Sequence, residues 1–249
     1  NKYLDIGLMG VGTNILGYAN SEIDNTVKKY ISFGNISTLN CPEEVSLAER
    51  LLDLHPNFDM VKFARTGGEA NTIAIRIARS TNQKDKIGIC GYHGWHDWYL
   101  SSNIKNSSNL KNHHANVFEP VGVPKYLKNS CIPFKYGDYK EFDKVLSNKK
   151  IGVIMMEVSR SKLPNVKFLN YIRKKTKERN IILIFDECTS GFRETLGGIY
   201  KKIKIQPDIL VLGKALGNGY PITAVIGKKE IMENAKKTFI SSTNWSERL

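Results

Sequence analysis

Two continuous apolar runs, each ending in an ionisable residue, constrain the fold of this chain more than any other feature. They occupy residues 182–187 (ILIFDE) and 209–214 (ILVLGK). A run that is apolar at nearly every position is typical of a strand buried on both faces, as in a parallel sheet. Ligands of open α/β sheets bind just beyond the carboxyl ends of such strands. The acid Asp186 and the amine Lys214 are therefore predicted to lie in one pocket.

Short apolar runs alternate with amphipathic segments, which predicts an α/β fold with a mostly parallel sheet flanked by helices. The predicted strands are 60–64, 86–90, 151–158, 181–186, 209–213 and 223–227. The predicted helices are 21–30, 69–80, 165–179 and 230–237. Residues 1–50 are less regular and are predicted to pack on a main domain of residues 51–249. Residues 101–124, which are rich in Asn and Ser, are predicted to form a long loop near the site.

Charge and composition limit the classes of partner. The formal charge is +13, but the basic residues are scattered and not interleaved with aromatics, which favours a solvated basic surface over nucleic-acid binding. No apolar run approaches the ~20 residues of a membrane-spanning helix, so no membrane partner is predicted. Four cysteines without paired spacing favour a reduced, cytoplasmic protein. The chain begins without Met and ends without a turn signal, which indicates a piece of a longer protein.

Residues 64–70 (ARTGGEA) join a predicted strand to a predicted helix. Gly67 and Gly68 let the backbone approach an anion closely, and the helix N-terminus favours a phosphate there. Thr66 adds a hydroxyl donor. A plain strand-to-helix turn is the alternative, and a nucleotide P-loop is excluded because no Gly-Lys-Ser/Thr follows.

A second turn, Gly91-Tyr92-His93-Gly94, follows the next predicted strand. Tyr92 could stack on a planar cofactor, or it could be a core aromatic residue. His93, His96 and Cys90 match no zinc spacing, so no metal site is predicted. The pair His113-His114 is expected to lie exposed on a loop.

The residues at the two strand ends suit one cofactor. A buried lysine is a nucleophile for carbonyl carbon, and a buried carboxylate can hold a proton on a pyridine nitrogen. Taken singly, Asp186 could be a turn cap and Lys214 a surface lysine. Together, a phosphate turn, an aromatic ring, an acid and a lysine after successive strands meet the demands of pyridoxal 5'-phosphate (PLP).

The chain resembles the class III PLP-dependent aminotransferases, and most closely their glutamate-1-semialdehyde 2,1-aminomutase branch. The resemblance covers nearly the whole chain, and it lies in residues 66–70 (TGGEA), 91–94 (GYHG), 183–187 (LIFDE) with 191–193 (GFR), and 213–219 (GKALGNG). It implies the large domain of PLP-dependent transferases of fold type I, the aspartate aminotransferase-like fold. The small C-terminal domain of complete members is expected to be absent from this chain.

The resemblance also implies roles for single residues. Lys214 would form the aldimine with PLP, and Asp186 would pair with the pyridine nitrogen. The remaining expected cofactor-binding residues are those of the phosphate turn, the aromatic turn, a strand-end glutamate and a threonine that reaches the phosphate of the neighbouring subunit: Thr66, Gly67, Gly68, Tyr92, His93, Glu157 and Thr243. A homodimer with composite active sites follows from the last of these.

The implied function is PLP-dependent amino-group transfer to or from a small amino or carbonyl substrate. An aminomutase moves nitrogen within one molecule, and an aminotransferase exchanges it between two. The sequence leaves open a truncated or inactive PLP-binding relative without turnover, and a PLP-dependent decarboxylase.

Overall fold

A seven-stranded sheet forms the centre of the computed structural model, which describes residues 2–111, 113, 119–159 and 163–248. The strands are β1 (Met60–Ala64), β2 (Lys86–Cys90), β3 (Cys131–Pro133), β4 (Ile151–Glu157), β5 (Ile182–Asp186), β6 (Ile209–Leu212) and β7 (Thr223–Gly227). The helices are α1 (Met9–Gly12), α2 (Ser21–Ile31), α3 (Pro42–Leu54), α4 (Gly67–Asn82), α5 (Asp97–Leu100), α6 (Tyr139–Leu146), α7 (Val166–Glu178), α8 (Ile199–Ile203) and α9 (Lys229–Met232).

The strand directions bring the carboxyl ends of six strands to one edge of the sheet. The order across the sheet is β1-β7-β6-β5-β4-β2-β3. Strands β2 to β6 pair in parallel, while β7 is antiparallel to both β6 and β1. Because β7 runs opposite to β6 and β1 runs opposite to β7, strands β1 and β6 run in the same direction and end at the same edge. The predicted mostly parallel sheet is confirmed.

Both faces of the sheet are buried, which explains the continuous apolar runs. In β4, Val153 and Met155 pack into a cluster under α4 and α9, whereas Ile154 and Met156 pack into a second cluster with α3, α6, α7 and α8. All four side chains are fully buried. Because successive strand residues point to opposite faces, an apolar residue is needed at every position of such a strand.

Several elements differ from the sequence-based expectation. The strands at 60–64, 86–90 and 223–227 have the predicted bounds, and the others end within one residue of them. The sequence did not predict strand β3 or helices α1, α3, α5, α6 and α8. Helix α3 runs through position 50, where the N-terminal segment was expected to end, and that division of the chain stays a prediction. Part of the predicted loop at 101–124 lies outside the described residues.

No helix in the described part of the chain is both long and apolar enough to cross a membrane.

His55, next to helix α3, is fully buried in the core. Its Nδ1 lies 2.7 Å from the hydroxyl of Tyr200, and the two rings stack with centroids 5.6 Å apart. Burial, with a smaller effect of Lys201, lowers the pKa of His55 to about 4. The imidazole is therefore neutral in the folded chain at neutral pH.

This histidine should make the fold acid-sensitive. As pH falls from about 6.5 towards 4, the unfolded chain binds a proton at position 55 and the folded chain does not, so the free energy of unfolding decreases. Chemical denaturation of wild type and His55→Gln at pH 7 and pH 5 measures the effect. The variant should lose less stability between the two pH values than wild type, and equal losses would contradict the assignment to His55.

Candidate active site

Asp186 ends strand β5 as a buried carboxylate with three hydrogen bonds. Its Oδ2 accepts from Asn71 Nδ2 at 2.8 Å and lies 2.8 Å from His93 Nδ1, and its Oδ1 accepts from the Cys188 backbone N–H at 3.1 Å. Burial alone would raise the pKa of Asp186, but the hydrogen bond and charge of His93 and the other two donors lower it below its ordinary value. The site therefore holds an ionised acid away from water.

His93 and Asn71 reach Asp186 from two different elements. His93 lies on the turn after β2, and its fully buried ring stacks on Trp98 with centroids 6.5 Å apart. Asn71 lies on the sheet-facing side of α4, and its Nδ2 also donates to the His93 carbonyl at 3.3 Å. Within the described residues, His93 Nε2 is buried without a hydrogen-bond partner. Nδ1 is thus the nitrogen through which His93 contacts the carboxylate.

Lys214 follows strand β6 and points to the same turn as Asp186. Its Nζ lies 3.1 Å from Thr189 Oγ1, and Thr189 is three residues after Asp186. Its backbone has a φ of 47°, a left-handed conformation that is costly for any residue except glycine and is often found at functional sites. The Lys214 amine therefore lies against the turn that follows Asp186, and the shared pocket for the two groups stays a prediction.

Gly67 of the predicted phosphate turn and Gly213, the residue before Lys214, both approach the side chain of Cys188. A Cβ atom added to Gly67 would come within 3.4 Å of Cys188 Sγ, and one added to Gly213 within 3.1 Å of the same sulfur. Cys188 therefore lies between the N-terminus of α4 and the residue before Lys214. Burial and then Asp186 raise the pKa of its thiol well above the usual range, so it stays protonated.

Thr66 caps the N-terminus of helix α4 and contacts strand β7. Its Oγ1 accepts from the Glu69 backbone N–H at 3.3 Å, and its carbonyl lies 3.5 Å from Thr223 Oγ1 on β7. Gly67 and Gly68 are the first two helical residues, whose N–H groups have no partner within a helix. This is a suitable cradle for an anionic group.

Glu157 and Tyr92 extend the cluster towards β4 and β2. Glu157 pairs with Asp186 across the sheet, and its Oε2 accepts from the Tyr92 backbone N–H at 2.9 Å. The Tyr92 side chain is 40% exposed, with its ring edge-on to Tyr99 at 5.9 Å. Tyr92 is therefore at the surface of the site and not in the core.

Gly91 is needed to bring Tyr92 onto Glu157. Its φ is 128°, and a Cβ atom there would lie 2.8 Å from Glu157 Oε2 and 2.9 Å from Glu157 Cγ. Gly91→Ala should therefore destabilise the fold by about 2 kcal/mol or more. Gly122→Ala is the matched control, because Gly122 also has a positive φ of 84° but nothing within 4 Å. Thermal unfolding of the two variants compares them, and equal losses would contradict the close approach.

The structure does not bring Thr243 into this cluster. Thr243 is exposed, and its neighbours Ser242, Asn244 and Trp245 line a cavity of about 280 Å³ against β1 and α3. Its expected contact with a neighbouring subunit stays a prediction.

Sequence reasoning missed Asn71, Cys188 and Thr189. They carry no motif of their own, and only the helical position of Asn71, one turn after Gly67, could have placed it on the sheet-facing side.

The expected exposed pair at 113–114 is wrong for His113, which is 5% exposed and accepts from the Gly91 backbone N–H at 2.9 Å. His114 lies outside the described residues. Among the described residues, no group of three or more His, Cys, Asp or Glu side chains could hold a metal ion.

The fold is that of the PLP-dependent transaminases. The chain superposes on the PLP internal aldimine form of the FumI protein from Sphingopyxis sp. MTA144 with a TM-score of 0.83 at 23% identity, over 96% of this chain and 56% of that chain. The ornithine aminotransferase of Toxoplasma gondii ME49 also gives 0.83, at 20% identity over 97% of this chain and 58% of that chain.

The sequence then gives the family: the chain belongs to the class-III aminotransferases, whose model matches residues 1–245. It is 35% identical to the 3-aminobutyryl-CoA aminotransferase of Cloacimonas acidaminovorans, over 98% of this chain and 57% of the relative. It is 38% identical to the glutamate-1-semialdehyde 2,1-aminomutase of Nitrosopumilus maritimus, over 90% of this chain and 53% of the relative. The chain therefore spans little more than half the length of these relatives.

Proposed function

We propose that this chain is the PLP-binding part of an enzyme that transfers an amino group, with Lys214 and Asp186 as its catalytic residues. One observation carries the proposal. Asp186 is a buried, ionised acid that accepts from the Cys188 N–H, and the Lys214 amine contacts Thr189 on the same turn. Membership of the class-III family and the fold of PLP-dependent transaminases support it.

The residues of the site fit PLP. Its phosphate would bind at Thr66, Gly67 and Gly68, where helical N–H groups and a hydroxyl are available and a larger side chain at Gly68 would collide with His96. Tyr92 would contact the flat face of the ring. PLP, when bound, supplies an electron sink that stabilises a carbanion at the substrate carbon bearing the amino group.

Each polar residue of the site then has a task. The Asp186 carboxylate would hold a proton on the pyridine nitrogen, and His93 with Asn71 keeps that carboxylate ionised and oriented. Glu157 fixes the backbone of Tyr92. The Lys214 amine would hold PLP covalently and could also give or take a proton at a carbon atom of the reacting groups.

The assembly and the cellular compartment are also proposals. Thr243 is exposed and would contact the phosphate in the neighbouring subunit of a homodimer, which gives composite active sites. A cytoplasmic location agrees with the four free cysteines, three of which are buried.

Spectroscopy of the full protein tests the function. Adding PLP should produce a visible absorption band, and an amine donor should then remove that band as the amino group is transferred to the cofactor. A stable band with every amine donor tried would contradict the enzyme and favour a binding-only relative. Release of carbon dioxide from an amino acid would indicate a decarboxylase instead.

The two types of amino-group transfer differ in what they consume. An aminomutase, as in the Nitrosopumilus relative, isomerises one substrate and needs no second carbonyl compound. An aminotransferase, as in the Cloacimonas relative, needs an acceptor for every donor converted. Product formation from glutamate-1-semialdehyde alone, with no 2-oxo acid added, would favour the aminomutase.

A further inference from the structure

Thr189 is the hydroxyl partner of the Lys214 amine in the structure. Its Oγ1 lies 3.1 Å from Lys214 Nζ, on the turn that also carries the Cys188 N–H donor to Asp186. Both Thr189 and Lys214 are half-buried, so bulk water only partly competes for this contact. A hydroxyl can accept from an ammonium group and can donate to a neutral amine, which makes it a suitable partner in either protonation state.

Two features fix the direction of this hydroxyl. Threonine is branched at Cβ, so its χ1 torsion has few accessible values. Its backbone carbonyl accepts a hydrogen bond from Arg193 Nε, and Arg193 in turn donates to the Gly12 carbonyl at 2.6 Å. The backbone that carries the hydroxyl is therefore tied, through Arg193, to the N-terminal segment.

We propose that Thr189 is a positioning residue that orients the Lys214 amine and stabilises its protonated form, an inference that rests on the proposed role of Lys214. The hydrogen bond that a hydroxyl accepts from an ammonium is stronger than the one that it donates to a neutral amine. The contact therefore favours the charged form of the Lys214 amine. It also holds the lysine side chain against the turn at residues 186–189.

Other titratable groups act on Lys214 but stay unchanged when only Thr189 is altered. Cys188 interacts electrostatically with Asp186, Lys214 and Glu157, so these four groups at the ends of β4, β5 and β6 share one electrostatic environment. Thr189→Val keeps the branched shape and the charges and removes only the hydroxyl. A change in the titration of Lys214 in that variant is thus assigned to the hydroxyl.

Competitive acetylation of the PLP-free full protein with acetic anhydride across a pH series, read by peptide mass spectrometry, measures the pKa of single lysines. In Thr189→Val the pKa of Lys214 should fall by about half a unit or more, as expected from loss of one hydrogen bond to a charged group. Thr189→Ser should restore most of it. Lys204 serves as the internal reference, because it is exposed and also has a left-handed backbone.

An unchanged Lys214 titration in Thr189→Val would overturn the inference, and Thr189→Ala provides the same reading if the valine variant does not fold. Because this labelling needs neither cofactor nor turnover, its failure is separate from failure of the proposed function. In the active holoenzyme, Thr189→Val should lower kcat about tenfold with little change in KM, since the hydroxyl acts through its contact with the lysine. Equal kcat in wild type and Thr189→Val would also contradict the inference.

Discussion

Replacing Lys214 with alanine should abolish amino-group transfer by the full protein, with kcat reduced at least about 10⁴-fold. In its proposed role, Lys214 provides both the covalent attachment of PLP and the amine that moves the proton, and the substitution would remove both. The fold should persist, because Lys214 is half-buried and belongs to neither apolar cluster of the core. Steady-state kinetics with an amine donor, together with thermal unfolding, measures both effects.

Lys204→Ala is the matched control for this variant. Lys204 also has a positive φ, of 56°, but it lies exposed at the end of α8. The backbone cost of replacing a lysine in this conformation is therefore shared by the two variants. Lys204→Ala should retain wild-type kcat, and a Lys214→Ala variant that keeps more than a few per cent of the activity would show that Lys214 is not the reacting lysine.

The Asp186→Asn variant should reduce kcat roughly 10³-fold and weaken PLP binding, because a neutral amide cannot hold a proton on the pyridine nitrogen. In the wild type, Asn71 and His93 both contact a carboxylate oxygen of Asp186. The side-chain amide introduced by Asp186→Asn would bring N–H groups close to these donors. Since the pKa of Asp186 is below its ordinary value, the wild-type carboxylate stays ionised throughout the neutral range. PLP titration followed by kinetics measures the two losses.

Asp208→Asn separates this effect from general destabilisation. Asp208 accepts two hydrogen bonds from Arg173 at 2.7 Å and one from the Leu183 N–H at 2.8 Å, near the opposite end of β5. Its replacement should lower the unfolding temperature and leave kcat per bound PLP unchanged. If Asp208→Asn and Asp186→Asn lowered kcat equally, the role assigned to Asp186 would be wrong.

The sheet could be predicted from the sequence because each buried strand must be apolar on both faces. Strand β4 is the clearest case, with consecutive residues in two separate core clusters. Strand β3 could not be predicted, because three residues carry too little pattern to distinguish a strand from a loop. Helix α6 begins after Asp138, whose side chain accepts from the Glu141 N–H, so its capping signal is present in the sequence.

The candidate site could be predicted only where a residue directly follows a strand. Asp186, Lys214 and Glu157 are fixed by strand ends, so sequence order places them at one edge. Asn71 and Thr189 depend on how α4 and the turn after β5 pack, which is a tertiary property. His113 was wrongly expected to be exposed, because its polar sequence neighbourhood gives no sign that it binds the Gly91 N–H.

Reductive trapping tests most directly whether Lys214 and Asp186 share one PLP site. The full protein is incubated with PLP, reduced with borohydride, digested and sequenced by mass spectrometry. The phosphopyridoxyl mass should appear on the peptide that contains Lys214, and much less of it should be trapped in Asp186→Asn. Labelling that spreads over other lysines and persists in Lys214→Ala would contradict the account.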